Sequence, residues 1–120
     1  MTDLQKSQLI AAGIDIDDAL PRFMGNEALL ERFLKKFLQD ENYIRLQNAI
    51  REGNLDDAIT ASHTLKGVCG NLSLSRLYGL FTQQVALFRS SGLAEGSAMM
   101  GEISDAYQEA VKSDRSHVVL

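Results

Sequence analysis

Apolar residues along most of this chain return every three or four positions, and the runs are separated by capping side chains and glycines. That rhythm is the period of an α-helix. It constrains the fold more than any other property of the sequence. Between residues 27 and 38, Leu29, Leu30, Phe33, Leu34, Phe37 and Leu38 form a broad stripe at i, i+4 spacing. Asn26 precedes it as a cap. Upstream, Asp15 opens a short helix with Ile16, Ala19, Leu20 and Phe23, bent or limited by Pro21 and ended by Gly25. Downstream, Asp40 opens a helix carrying Tyr43, Ile44, Leu46 and Ile50, and Gly53 ends it. Asn54 caps a central helix, with Asp56 and Asp57 against the positive end of its dipole. Leu72-Ser73 marks a break. A long helix then covers 75–91, with Leu77, Phe81, Val85 and Phe88 on one side, and stops at Gly92. A last helix over 94–112 carries Met99, Ile103, Ala106 and Ala110. Residues 1–13 read as a loose helical extension, and 113–120 as a polar tail ending in Val118-Val119-Leu120.

No stretch alternates apolar and polar residues as a half-buried strand does. Loops of two to five residues make successive helices antiparallel neighbours. The expected fold is all-α: an up-and-down antiparallel four-helix bundle of about 40–52, 54–71, 75–91 and 94–112. One or two additional N-terminal helices would cap it. A length of 120 residues with 45% hydrophobic content suits one domain over 1–120 with a real core. The net charge of -4 argues against nucleic-acid binding, which needs a basic face. No apolar run approaches a bilayer span, and the opening residues lack the apolar centre of a secretory signal. Cys69 is the only cysteine, which excludes an internal disulfide and fits a reducing compartment. A cytoplasmic monomer is expected.

The central helix holds the one concentration of chemistry, His63-Thr64-Leu65-Lys66-Gly67-Val68-Cys69-Gly70. At about 100° per residue, Leu55, Ala58, Ala61, Ser62, Leu65, Val68, Cys69 and Leu72 make one stripe of apolar or small residues. His63 lies roughly 140° from its centre. Lys66, Gly67 and Gly70, at i+3, i+4 and i+7, share its face. A glycine inside a helix costs about 1 kcal/mol relative to alanine. Two of them beside one imidazole suggest that something large approaches it. A neutral imidazole is a nucleophile. Phosphoryl transfer to it needs an exposed ring nitrogen, in-line access and a cation for the equatorial oxygens, which Lys66 offers.

In these residues the chain resembles the histidine-containing phosphotransfer family of multistep His–Asp phosphorelays. The match is His63-x-Leu65-Lys66-Gly67, then Gly70-Asn71-Leu72, with Ile14-Asp15, Leu20, Arg22-Phe23 and Gly25-Asn26-Glu27 upstream. It covers about residues 13–110. The resemblance implies a phosphocarrier with His63 as phosphoacceptor and Lys66 stabilising the phosphoryl group. Gly67, Gly70 and Thr64 would lie on the docking face, with apolar residues beside it from Leu74 and Leu77 or from the N-terminal helix. It also implies a response-regulator receiver domain or a hybrid sensor histidine kinase as partner. No cofactor is implied, since magnesium belongs to the receiver, and no ATP site. Relatives orient the imidazole with a glutamine on the following helix, for which Gln83 and Gln84 are candidates and Arg89 a weaker one. Where many relatives have glycine this chain has Ser73, and where many have an acidic or amide side chain it has Val85.

Simpler roles suffice for the other candidates. His117 reads as a solvated terminal residue, and with no carboxylate at ligand spacing no metal site is expected. Cys69, Phe33, Phe37, Phe81 and Phe88 read as core. The Asp56-Asp57 and Asp17-Asp18 pairs read as helix-start charges. A phosphorylation-independent adaptor on the same bundle is the alternative function. A sensor-kinase dimerisation helix pair fits less well, because Thr64 rather than an acidic residue follows His63 and no proline lies beyond it. There is no glycine-rich phosphate loop or nucleophilic triad, so an enzyme is not expected.

Overall fold

Side chains that satisfy orphan backbone groups start four of the helices. Thr2 Oγ1 accepts from the Gln5 N–H while Gln5 Oε1 accepts from the Thr2 N–H, a reciprocal capping box. Asp15, Asn26 and Asn54 each accept the backbone N–H three residues on, from Asp18, Leu29 and Asp57, at 3.0–3.1 Å. A computed structural model describes residues 1–117, and side chains as far as Ser113. It is all-helical. The helices are α1 (Asp3–Ala11), α2 (Ile16–Arg22), α3 (Glu27–Leu38), α4 (Asn42–Arg51), α5 (Leu55–Asn71), α6 (Ser75–Ser91), α7 (Leu93–Ser97) and α8 (Met100–His117). Among the described residues there is no strand, only an isolated antiparallel bridge between Ile14 and Leu74.

Four helix ends share one geometry. After α1, α2, α4 and α5 the chain enters the left-handed region, at Gly13 (φ 91°), Met24 (φ 55°), Gly53 (φ 73°) and Ser73 (φ 53°). The following N–H then reaches back to a carbonyl in the last turn: Ile14 to Leu9, Gly25 to Leu20, Asn54 to Ala49 and Leu74 to Cys69, at 2.8–3.0 Å. Gly53 meets this conformation without a Cβ penalty. Met24 and Ser73 adopt it against their intrinsic preference. Met24 therefore takes the first left-handed position closing α2, and Gly25 follows it at φ 71°.

The central helix α5 packs between α4 and α6, and α7 lies on α6. α8 touches α1, α3 and α6. One apolar cluster unites them, including Leu9, Ile16, Leu34, Leu46, Leu65, Phe81 and Ile103. Leu9 and Ile14 are fully buried, so the first 13 residues are built into the core rather than loosely attached. No described helix is long and apolar enough to cross a membrane.

Two expectations about the C-terminal region are corrected. The single helix over 94–112 is two helices, broken at 98–99. The Gly96 carbonyl accepts from the Met99 N–H and from the Gln84 side-chain amide, which diverts it from a regular i+4 bond. The helix also runs on to His117 instead of yielding to a tail at Ser113, since no glycine or proline interrupts that stretch. The side chain of His117 and the segment Val118-Val119-Leu120 lie outside the described residues.

A third correction concerns Phe33, which is 39% exposed. Leu30, Leu34 and Phe37 take the buried side of α3. Phe33 sits at its edge, 5.3 Å from the Phe23 ring, with the Lys36 ammonium 4.9 Å from its centroid.

Candidate functional site

The site is built on the second half of α5. Ala58, Ala61, Ser62, Leu65 and Cys69 turn inward and are buried. His63 is therefore exposed, and Lys66, one turn on, is partly exposed. No hydrogen bond or ion pair engages either side chain within the described residues. Thr64 is exposed beside His63, but its hydroxyl donates back to the Thr60 carbonyl at 2.9 Å.

The two glycines differ. A Cβ built on Gly67 would meet nothing within 4 Å among the described residues, so none of them requires glycine there. A Cβ on Gly70 would lie 3.4 Å from the Tyr78 ring, so Gly70 also serves the packing of that ring.

His63, Lys66, Gly67 and Gly70 line one open groove of about 640 Å³, together with Arg22 and Tyr78. Arg22 reaches in from α2. It donates to the Gly70 carbonyl and, at 2.9 Å, to Ser73 Oγ. Its other terminal nitrogen pairs with Asp18 at 3.1 Å, and Ser73 Oγ donates to the same carboxylate at 2.6 Å. The guanidinium thus stands at the negative end of the α5 dipole and fastens α2 to the helix bearing His63. Sequence reasoning assigns Arg22 and Tyr78 no role. Their partners lie 48 residues away and in the next helix, and no local spacing announces either.

A second groove of about 460 Å³ adjoins the first and shares Arg22 with it. Phe23, Phe33, Val68 and Leu72 give it an apolar floor, and Lys36 stands at its edge.

Several expected site residues lie elsewhere. Leu74 and Leu77, expected to dock a partner, are 1% and 2% exposed. The bridge to Ile14 draws Leu74 inward, and Leu77 faces the core from α6. Gln84 is fully buried and bonds to Ser62, so it faces the interior and not the imidazole. Gln83 is exposed on α6 but does not line the His63 groove. Arg89 stands in the last turn of α6, beyond the level at which Gln84 meets Ser62.

Cys69 is buried beneath the groove. Burial, and then the Asp40 carboxylate, push its thiol well above the ordinary cysteine range, so it stays protonated. Among the described residues no three His, Cys, Asp or Glu side chains group as metal ligands.

Compared with protein-family models, with curated proteins and with solved structures, the chain shows no significant match.

Proposed function

We propose that this chain is a histidine phosphotransfer protein, carrying a phosphoryl group on His63 between receiver-domain aspartates of a two-component phosphorelay. In this reading α4, α5, α6 and the α7–α8 pair are the four members of an up-and-down bundle, and α1 to α3 cap it. The observation that carries it is the state of the α5 face. An exposed imidazole stands one turn from an ammonium, both unpaired among the described residues, beside a glycine that no contact with those residues requires.

The chemistry follows from that face. A ring nitrogen of His63 attacks the phosphorus of an aspartyl phosphate. The N–P bond forms as the P–O bond to the carboxylate breaks, and the aspartate leaves with the electron pair. Lys66 meets the equatorial oxygens as charge spreads over them. Gly67 leaves room for the partner's acidic pocket to close on the ring. The reverse transfer uses the same contacts. The chain needs no ATP site or cofactor of its own, and the receiver supplies magnesium.

The receiver covers His63 and rests on the adjoining apolar floor of Phe23, Phe33 and Val68, not on the buried Leu74 and Leu77. Such a partner places the protein in the cytoplasm, as a monomer. An adaptor that binds without phosphorylation would use the same floor, but would leave the unpaired His63 and Lys66 without a task.

Incubation with a radiolabelled phospho-receiver domain, followed by mapping of the label, tests the proposal. Acid-labile phosphate on His63 is expected in the wild type and none in His63→Gln. Equal labelling of the two proteins rejects it.

A further inference from the structure

Ser62 and Gln84 are both fully buried, and they are bonded to each other. Ser62 Oγ donates to Gln84 Oε1 at 2.8 Å. On its other side the same amide donates from Nε2 to the Gly96 carbonyl at 3.1 Å and to Met100 Sδ at 3.2 Å. A carbonyl only accepts, so the bond to Gly96 fixes which end of the amide faces Ser62. One side chain of α6 thereby joins α5 to the α7–α8 junction, with both ends of its amide engaged.

The surrounding packing gives this link its importance. The turns of α5 leading to His63 face inward with Ala58, Ala61 and Ser62. Such small side chains present shallow knobs and fix the rotation of a helix weakly. A buried hydroxyl and amide fix it strongly, because turning the helix strands both without partners. Single buried polar groups set register in helical assemblies in this way. Ser62 immediately precedes His63, about 100° away round the axis. Holding Ser62 toward Gln84 therefore holds His63 outward.

We propose that Gln84 is a positioning residue for His63, acting through Ser62 to set the rotation of α5 and so the presentation of the imidazole. This rests on the phosphocarrier reading above. Gln84 touches neither the ring nor the phosphate.

The test uses the full chain carrying Ser62→Ala and Gln84→Met together, which replaces both polar partners with apolar groups of similar size. Relaxation-dispersion NMR on the backbone amides of 59–67 is recorded without any partner. Single-turnover transfer from a phospho-receiver domain is then measured across receiver concentrations. Exchange broadening around His63 is expected, with a roughly tenfold slower transfer step and an unchanged half-saturating receiver concentration. Amides as quiet as in the wild type, or a transfer loss no greater than the loss of folded protein, overturns the proposal. Should the double variant not fold cooperatively, Ser62→Ala alone is measured in the same two ways, and the same results support or overturn the proposal. A wild type that takes no label on His63 refutes the phosphocarrier reading, and the dispersion measurement still decides whether Gln84 sets the rotation of α5.

Discussion

Arg22 donates to the backbone carbonyl of Gly70, closing the last turn of α5 from a helix 48 residues away in the chain. The same guanidinium nitrogen bonds Ser73 Oγ, and Ser73 holds a left-handed backbone at φ 53°. Side-chain bonds therefore keep in place a conformation that the residue itself disfavours.

The two effects separate by substitution. Ser73→Ala keeps the disfavoured backbone and loses the bonds to Arg22 and Asp18, so it should destabilise the fold by about 2 kcal/mol. Ser73→Gly loses the same bonds but relieves the backbone, and should be milder by about 1 kcal/mol. Urea unfolding of the two variants against wild type gives both numbers. Equal losses would remove the backbone contribution.

Gly67 should show function opposing stability. Among the described residues nothing within 4 Å meets a Cβ there, and alanine is a better helix former by about 1 kcal/mol. Gly67→Ala should therefore unfold at higher urea than wild type. Gly67→Gln, which projects into the docking space, should lower phosphoryl transfer at least tenfold while its melting temperature holds. Transfer at the wild-type rate in the glutamine variant would mean that the partner does not close over this turn.

Among the described residues Lys66 has no ion pair to lose. Lys66→Ala should change stability by less than about 0.5 kcal/mol. It should slow transfer roughly tenfold or shorten the life of the phosphorylated form. Stopped reactions resolved on gels measure both quantities, and two unchanged values would deny the ammonium its role.

Cys69 should resist alkylation by iodoacetamide in the folded protein and react promptly in urea. Its thiol stays protonated in the fold, whereas in the unfolded chain it ionises near about pH 8.5. Above that pH the folded chain holds the extra proton. Its contribution to stability is therefore complete below about pH 8.5 and declines as pH climbs toward the folded-state value, by up to about 1.4 kcal/mol per unit. Unfolding free energies from pH 7 to 10 should fall more steeply for wild type than for Cys69→Ala.

How much of this was legible in the sequence depended on whether the cause was local. The ends of α6 follow from the break at Leu72-Ser73 and from Gly92, and the starts of α2, α3 and α5 from Asp15, Asn26 and Asn54. The outward placement of His63 follows from the helical period of its own neighbours. The left-handed ends at Met24 and Ser73 were hidden because neither is glycine. Gln83 and Gln84 sit side by side on one helix; the period of Leu77, Phe81 and Phe88 turns Gln84 inward, but its pairing with Ser62 across two helices has no local signal. The break before Met100 was equally hidden, since it accompanies a bond from Gln84 to Gly96 across two helices. The inward turn of Leu74 has a similar origin, its pairing with Ile14 being invisible to any local pattern.

The knot of Asp18, Arg22 and Ser73 also bears on the order of assembly. Asp18 leaves the ribosome 55 residues ahead of Ser73, and until that serine emerges α2 has nothing on the α5 side to grip. The polar tie between α2 and the end of α5 therefore forms only after that end has been made. It locks into place only once the hairpin of α5 and α6 begins to turn back.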